Sequence, residues 1–262
     1  MQFTNGLDYT GKVVLVTGGT KGIGAGIAQR FLEAGAEVVV CGRQAPQRLP
    51  AVEGRAADFY ALDLRDVDAL SALFEHISAR YGRLDVVVNN AGGSPAADAA
   101  TASPRFSESI IRLNLLVPLN VAQFANRMMQ QQERGGAIVF IGSVSASRPS
   151  PGTAAYGAAK AGVLALVSSL AVEWAPKVRV VSVSPGLIRT EQSHLHYGDE
   201  AGVEAVGAGI PAGRMGEPDD VAGACLFAGS AYASYWSGTN LLLHGGGEKP
   251  AFLSSSTANQ VG

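Results

Sequence analysis

The chain has 262 residues, of which 47% are hydrophobic and 16% are charged, and its formal net charge at pH 7 is −2. This composition predicts a sizeable buried core. The small net charge, without runs of like charge, makes nucleic acid and acidic membranes poor candidate partners. Cys41 and Cys225 form no CxxC pair, which indicates a reducing, cytoplasmic setting.

The beginning of the chain has no basic region followed by an apolar stretch, so we expect no signal peptide. The longest apolar stretches are broken by Ser, Glu or Gly before they reach the roughly 18 residues that a membrane span requires. We therefore expect a protein that does not cross a membrane.

Short β-branched runs alternate with helical stretches along the chain. The predicted strands cover, in chain order, residues 12–17, 37–41, 59–64, 84–89, 137–142, 178–184 and 239–244. The predicted helices cover residues 22–35, 66–80, 106–132, 154–174 and 217–229. This alternation predicts an α/β fold: a doubly wound, parallel, seven-stranded sheet of Rossmann type with helices on both faces.

Residues 1–253 keep this alternation without a linker, so we predict a single dinucleotide-binding and catalytic domain. Residues 187–213 depart from it, because they contain five glycines and show no clear periodicity. A long insert of this kind is typical of a substrate loop that closes over a bound cofactor. The polar tail, residues 254–262, is expected to be flexible.

The stretch TGGTKGIG (17–24) lies between the first strand and the first helix. Gly18, Gly22 and Gly24 would allow the backbone to approach a pyrophosphate, which the free N–H groups at a helix N-terminus attract. A plain strand-to-helix turn is the alternative. The flanking strand and helix favour dinucleotide binding.

Thr17 and these three glycines have the spacing TGxxxGxG, which resembles the signature of the short-chain dehydrogenase/reductase family. The resemblance extends over almost the whole chain, and matches in this order and spacing are hard to obtain by chance. The further matches are NNAG at 89–92, the helical asparagine at Asn114, a Ser…Tyr-x-x-x-Lys set at Ser143, Tyr156 and Lys160, a PG…T segment at Pro185, Gly186 and Thr190, and PAGRMGEPDDVA at 211–222.

The resemblance implies that Asn114, Ser143, Tyr156 and Lys160 are the catalytic residues. Tyr156 would protonate a carbonyl oxygen during reduction, Ser143 would hold that oxygen, and Lys160 would bind the nicotinamide ribose. From the residues themselves, an ammonium group one helical turn from a phenol favours the phenolate. We therefore expect the pKa of Tyr156 to lie below its ordinary value near 10. The alternative is an ordinary amphipathic pair, with the tyrosine packed and the lysine solvated.

The end of the second strand predicts the choice of dinucleotide. An acidic residue there would bind the adenosine ribose hydroxyls and select NAD(H), whereas this chain has Gly42 followed by Arg43. Lys21 is a second cation, and two cations without a carboxylate favour the 2′-phosphate of NADP(H), with NAD(H) as the alternative. Asp63 matches a family position near the adenine; otherwise it is a surface or helix-capping aspartate. The predicted cofactor-binding residues are Gly18, Thr20, Lys21, Gly22, Ile23, Gly24, Arg43, Asp63, Leu64, Asn90, Ala91, Gly92, Tyr156, Lys160, Pro185, Gly186, Ile188 and Thr190.

Pro118 lies four residues after Asn114 and has no N–H to donate to the Asn114 carbonyl. If residues 106–132 form one helix, that carbonyl must find another donor. The resemblance implies a water at this carbonyl that relays protons towards the lysine. We predict that Pro118 helps to free the acceptor, the alternative being a proline kink that only fits packing.

The sequence indicates where a substrate would lie, but not which substrate. His194 and His196 are two residues apart without a constellation of Cys or carboxylate side chains, so we predict no metal site. The candidate substrate contacts are Gly93, Ser94, Val144, Ser145, Gln192 and His194.

These features predict an NADP(H)-dependent carbonyl reductase or alcohol dehydrogenase. Its small-molecule substrate would be a ketone or secondary alcohol, such as a 3-oxoacyl thioester, a steroid-like ring ketone or a sugar. One alternative is an epimerase or dehydratase of the same fold, which usually belongs to a longer chain. Another is a non-enzymatic NADP(H)-binding sensor, which tends to lose the Tyr or the Lys. The resemblance also implies a homotetramer, or a homodimer, formed through the helices over residues 106–132 and 154–174 and through the C-terminal strand region.

Overall fold

Seven parallel strands form the central sheet of the computed structural model, which describes residues 6–255. The strands in the described residues are β1 (Val13–Thr17), β2 (Glu37–Gly42), β3 (Ala51–Val52), β4 (Arg55–Ala56), β5 (Asp58–Ala61), β6 (Val86–Asn89), β7 (Gly136–Ile141), β8 (Val178–Pro185) and β9 (Asn240–Leu243). Of these, β3 and β4 lie outside the central sheet. The helices are α1 (Gly22–Glu33), α2 (Val67–Tyr81), α3 (Pro104–Ile111), α4 (Val117–Gln131), α5 (Ala154–Glu173), α6 (His194–Tyr197), α7 (Glu200–Gly209), α8 (Pro218–Gly229) and α9 (Phe252–Ser255).

The strand order across the sheet is β5-β2-β1-β6-β7-β8-β9. The order reverses at β1, which pairs with β2 on one side and with β6 on the other. In a parallel sheet, ligands bind in the crevice at the carboxyl ends of the strands beside such a reversal. The predicted α/β fold class, with seven parallel strands and helices on both faces, is confirmed.

Apolar side chains cover both faces of the sheet. On one face, α2, α4 and α5 bury Leu73, Met129 and Val163 among others. On the other face, α1 and α8 bury Ile27 and Cys225 among others. Because both faces are covered, the strands are almost continuously apolar; all five residues of β1, VVLVT, are buried.

The structure adds elements that the sequence analysis did not predict. A short antiparallel hairpin, β3 and β4, precedes β5; each strand has only two residues, too few to show an alternation. The insert at 187–213 contains α6 and α7, and the glycines of α7 weaken the helical signal. The tail predicted to be flexible covered residues 254–262. Residues 254 and 255 are the last two residues of α9, and residues 256–262 lie outside the described residues.

The helix predicted over residues 106–132 is not one regular helix. A π-helical turn, Arg112–Leu116, joins α3 to α4, and in it the N–H of Val117 donates to the Arg112 carbonyl five residues earlier. Pro118 has no N–H for the Asn114 carbonyl four residues earlier, so the regular ladder cannot continue there. The wider turn holds Asn114, whose side chain is fully buried. Single π-turns of this kind are frequent at functional sites.

Among the described helices, α5 has the length and hydropathy that would allow it to cross a membrane. This differs from the expectation that no apolar stretch is long enough. In the structure α5 packs along β8 and the π-helical turn, and it buries Val163 and Val167 in the core of the sheet. A helix that lies against a core has the same composition as a span, and the packing of α5 is that of a core helix.

Candidate active site

A glycine-rich turn connects β1 to α1 at the crevice. Gly18 and Gly22 have φ angles of 64° and 51°, in the left-handed region that favours glycine. At Gly24 a Cβ atom would clash with the carbonyl oxygen of Gly18 and with Nδ2 of Asn90. The turn therefore requires glycine for its conformation and for its close packing. It leads directly into the first turn of α1, whose backbone N–H groups attract anions.

Thr17 and Asn90 fasten this turn to the end of β6. The Oγ1 atom of Thr17 accepts hydrogen bonds from the backbone N–H groups of Asn90 and Ala91, both at 3.0 Å. In return, Nδ2 of Asn90 donates to the carbonyl oxygen of Thr17 at 2.9 Å. Two separate segments of the predicted cofactor-binding set are thereby held together.

Asn114 fastens the loop that follows β6. Its Oδ1 accepts from the N–H of Gly93 at 2.9 Å, and its Nδ2 donates to the carbonyl oxygens of Gly93 at 3.0 Å and Ile110 at 2.9 Å. A Cβ atom on Gly92 would lie 2.6 Å from Oδ1 of Asn114 and 3.6 Å from Nζ of Lys160, so these three residues meet. The Asn114 side chain thus positions this loop, while the predicted role of its backbone carbonyl stays a prediction.

Lys160, on α5, is buried, with 4% of its surface exposed. Its Nζ donates to the carbonyl oxygen of Ile141 at 2.7 Å and lies 5.6 Å from the ring centre of Tyr156. Burial lowers the pKa of Lys160 to about 8, because water no longer solvates the ammonium. The alternative of a solvated lysine is therefore wrong.

The side chain of Ser143 lies close enough to the Tyr156 phenol to influence its pKa. Burial raises the pKa of Tyr156 above its ordinary value, and the Ser143 hydroxyl opposes this rise. The prediction that the pKa of Tyr156 is lowered is therefore wrong for the chain without a bound cofactor. The ammonium of Lys160 lies over the ring and binds Ile141, and the loss of water around the phenolate outweighs its attraction.

Lys160→Met should change how stability depends on pH. The folded-state pKa of Lys160, about 8, lies below the ordinary 10.5, so between these values the unfolded chain binds more protons and the wild type becomes more stable as pH rises. Urea unfolding gives the free energy of unfolding of both proteins. The value for Lys160→Met minus the value for wild type should be about 2 kcal/mol larger at pH 7 than at pH 10. Lys177→Met, at an exposed lysine, is the control, and an equal advantage of Lys160→Met at both pH values would contradict the prediction.

The two predicted phosphate-binding cations flank the ends of β1 and β2. Lys21 is the exposed N-cap residue of α1, and Arg43 is exposed directly after β2. The carboxylate of Asp63 pairs with Arg65 at 2.6 Å, and this hydrogen bond, with smaller help from the charge of Arg43, lowers the pKa of Asp63 to about 2. Asp63 is thus ionised and held by its neighbour. Leu64 is buried beside it.

Gly42 ends β2 between these groups, in a partly exposed position. A Cβ atom there would lie 3.6 Å from Oγ1 of Thr20 and 3.9 Å from Phe59, which are ordinary contact distances. A Cβ atom therefore fits at this position.

The segment after β8 brings the insert over the glycine turn. Pro185 ends β8, and Ile188 forms an isolated bridge with Gly216. A Cβ atom on Gly22 would lie 3.6 Å from Cγ2 of Thr190. The predicted Thr190 and glycine-turn positions therefore lie together, although they are far apart in the sequence.

A cavity of about 350 Å³ is lined by residues of β9 and by residues that follow β7, β8 and β9 in the sequence. Val144, which follows Ser143, and Gly186, which follows Pro185, line it. The other predicted substrate contacts do not: Gln192 and His194 are exposed, and the side chain of Ser94 bonds the neighbouring Pro95 carbonyl at 2.9 Å. The cavity-lining residues are Val144, Ser147, Arg148, Gly186, Leu187, Ile210, Leu242, His244, Gly246, Gly247 and Glu248.

Gly93 and Ser145 also lie outside the lining of this cavity, and they support neighbouring loops. Gly93 is held by Asn114, while the hydroxyl of Ser145 accepts a hydrogen bond from Ser150 at 3.1 Å. The sequence analysis missed Arg148 and Glu248, whose only signal is a charge within a segment of small residues. Within residues 6–255, no group of three or more His, Cys, Asp or Glu side chains could hold a metal ion.

A family model described as enoyl-(acyl carrier protein) reductase matches residues 18–248 of the chain. The 3-oxoacyl-[acyl-carrier-protein] reductase FabG of Chlamydia muridarum is 38% identical over 242 residues, which cover 90% of this chain and 96% of the relative. The 3alpha-hydroxysteroid dehydrogenase of Mediterraneibacter gnavus is 34% identical over 243 residues, which cover 89% of this chain and 96% of the relative.

The solved structure of ligand-free aldohexose dehydrogenase from Thermoplasma acidophilum is similar in fold. Its TM-score is 0.84 at 32% sequence identity, over 92% of this chain and 94% of that chain. These relatives are dehydrogenases and reductases, so the protein is an oxidoreductase. The family match, the relatives and the fold agree: the chain belongs to the short-chain dehydrogenase/reductase family.

Proposed function

We propose that the protein is an NADP(H)-dependent carbonyl reductase or alcohol dehydrogenase, with Ser143, Tyr156, Lys160 and Asn114 as its catalytic residues. The observation that carries this proposal is the cluster at the carboxyl edge of the sheet. There the Ser143 hydroxyl lies close enough to the Tyr156 phenol to influence its pKa, with the buried Lys160 ammonium 5.6 Å from the centre of the tyrosine ring. Two adjacent hydroxyl donors suit a carbonyl oxygen that becomes an alcohol oxygen.

The residues of the crevice fit a dinucleotide. The glycine turn leads into the N-terminus of α1, whose free backbone N–H groups would bind a pyrophosphate. When bound, the nicotinamide supplies the hydride. Lys160 would hold the nicotinamide ribose, as its position beside Gly92 allows.

In the reductive direction, the Ser143 hydroxyl donates a hydrogen bond to the substrate carbonyl oxygen and orients it. Tyr156 gives its proton to that oxygen as the alcohol forms, and in the oxidative direction it accepts the proton. The Lys160 ammonium, still charged at neutral pH because its pKa is about 8, favours the phenolate that remains. Pro118 leaves the Asn114 carbonyl without the regular helical donor, and we propose that a water at this carbonyl passes the proton on.

We infer that NADP(H) is preferred to NAD(H). No carboxylate stands at the end of β2, where Gly42 is followed by the exposed Arg43. Lys21 is exposed at the start of α1. Two cations without a carboxylate would attract the 2′-phosphate of NADP(H).

Oxidation of NADPH and NADH with a panel of ketones tests both the reaction and the cofactor. Wild type should prefer NADPH, Arg43→Ala should weaken NADPH binding roughly tenfold with little change for NADH, and Gly42→Asp should reverse the preference through repulsion of the 2′-phosphate. The Cβ atom of the new side chain would make only ordinary contacts at this position. Arg134→Ala, at an exposed arginine, is the control. Equal wild-type affinities for NADH and NADPH would refute the cofactor choice, and no turnover of any ketone or secondary alcohol would refute the reaction.

We also propose that residues 1–253 act as a single dinucleotide-binding and catalytic domain, with residues 187–213 as its substrate loop. A homotetramer, or a homodimer, is proposed through the helices over residues 106–132 and 154–174. Leu116 and Val172 on these helices are 46% and 80% exposed in the single chain, which supports a covered face. The free, buried cysteines support a cytoplasmic location, and the small net charge argues against nucleic acid and membrane surfaces as partners.

A further inference from the structure

Arg148 has an incompletely used hydrogen-bonding edge. Its Nη1 donates to the carbonyl oxygen of Pro149 at 2.9 Å, and its Nη2 lies 2.9 Å from Oε1 of Glu248. Its Nε is buried and has no hydrogen-bond partner within the described part of the chain. A buried donor without a partner is unfavourable, and Nε with Nη2 is an edge of the guanidinium that binds a carboxylate through two parallel hydrogen bonds.

Arg148 lines the cavity of about 350 Å³ together with Val144, which directly follows Ser143 in the sequence, and Gly186. The apolar lining of the cavity includes Leu187 and Ile210. A volume of about 350 Å³ is near the lower end for small-molecule sites. The cavity therefore has room for a short substrate chain beside Arg148.

The other ionisable groups around Arg148 come from two different segments. Glu248 and His244 belong to the segment after β9, and both line the cavity. Tyr197, on α6, is close enough that the charge of Arg148 lowers its pKa and that of Glu248 raises it, both against the larger upward effect of burial. Among the residues that line the cavity, Arg148 is the one permanent cation.

Glu248 follows three consecutive glycines in the sequence, and its side chain pairs with Arg148. Gly245, Gly246 and Gly247 have φ angles of 62°, 97° and 87°, a conformation that favours glycine. The Glu248 side chain is 54% exposed and binds the guanidinium through one oxygen and one nitrogen. An exposed ion pair of this kind is weak. The carboxylate of Glu248 can therefore be replaced by another carboxylate that uses both Nε and Nη2.

We propose that Arg148 binds the carboxylate of an acidic substrate, so that the preferred substrate is a small oxo acid or the corresponding hydroxy acid. The substrate carboxylate takes the place of Glu248 on Nε and Nη2, while its carbonyl lies at Ser143 and Tyr156. This inference rests on the proposed reductase function and adds the class of substrate to it.

The test compares oxo acids of three to eight carbons with their methyl esters, which lack the charge. Binding of each compound to the NADP(H)-loaded protein is measured by calorimetry, and kcat/KM is measured with NADPH. Wild type should prefer the acid in at least one acid–ester pair. Arg148→Met should lower the acid-to-ester ratio of the binding affinity and of kcat/KM roughly 10- to 100-fold. Arg148→Lys should lower these ratios less than Arg148→Met does, because lysine keeps the charge but cannot donate two parallel hydrogen bonds to a carboxylate. Glu248→Gln should strengthen acid binding by removing the internal competitor.

Arg134→Met, at an exposed arginine, should leave the acid-to-ester ratio unchanged. Wild-type preference for the esters, absence of acid binding, or an acid-to-ester ratio that survives Arg148→Met would each overturn the inference. These outcomes are separable from failure of the proposed function. If esters and neutral ketones are reduced and the acids are not, the proposed reductase function is supported and the carboxylate site at Arg148 is refuted. If nothing is reduced but acids bind through Arg148, the carboxylate site is supported and the reductase function is refuted.

Discussion

Tyr156→Phe should lower kcat at least about 100-fold, because the variant keeps the ring and loses the proton that the reaction transfers. The phenol is half-buried near Ser143 and Lys160, so its loss leaves the substrate oxygen with the Ser143 hydroxyl as its remaining donor. Because the ring remains in place, dinucleotide affinity should stay within about threefold of the wild-type value, a change of less than 1 kcal/mol.

The measurement is steady-state oxidation of NADPH with an accepted ketone, paired with fluorescence titration of the dinucleotide. Tyr235→Phe removes the same hydroxyl from a fully exposed tyrosine and should keep wild-type rates. If Tyr156→Phe turns over at the wild-type rate, Tyr156 is not the proton donor. If instead both turnover and dinucleotide binding are lost, the residue acts in binding or folding and the proposed division of roles is wrong.

Gly24→Ala should both destabilise the protein and prevent tight dinucleotide binding. The added Cβ would clash with the carbonyl oxygen of Gly18 and with Nδ2 of Asn90. This Nδ2 donates to the carbonyl oxygens of Thr17 and Gly18, so its displacement would break those bonds. Overpacking of this kind costs about 1–3 kcal/mol. Displacement of the turn should also weaken NADPH binding more than roughly tenfold, because the backbone N–H groups no longer point at the pyrophosphate.

Gly223→Ala is the matched control, since Gly223 is exposed inside α8 and a Cβ atom there meets nothing within 4 Å. Relief of the glycine entropy should raise its free energy of unfolding by about 0.5–1 kcal/mol. Urea unfolding and dinucleotide titration of the two variants give the comparison. Wild-type stability and affinity in Gly24→Ala would show that the turn adapts and that glycine is not required at this position.

The fold was predictable because its strands are buried on both faces. A run such as VVLVT in β1 is apolar except for Thr17 at its end, and most runs are followed by a helical period, so strand and helix are told apart by composition and length. The π-helical turn was not predictable as such, although Pro118 indicated a disturbed ladder. The β3–β4 hairpin and α7 were missed because two-residue strands and glycine-rich helices carry almost no periodic signal.

The candidate site was predictable only where residue types and spacing recur as motifs. These motifs indicated which residues to examine around Gly24, Asn114 and Tyr156, but not what each side chain contacts. The pKa of Tyr156 was predicted in the wrong direction because spacing gives the distance of a charge and not the loss of water around it. The pairing of Arg148 with Glu248 was beyond reach, since two charges one hundred positions apart in sequence have no local pattern.

The buried ammonium of Lys160 also bears on how this protein can be engineered. A residue that is held charged in a dry interior opposes folding at neutral pH, and an uncharged substitute removes that opposition together with the ammonium that we propose for catalysis. A library screened for heat resistance alone would therefore enrich chains that lack this ammonium. Selection for a robust catalyst has to score turnover and melting in the same round, or fix Lys160 from the start.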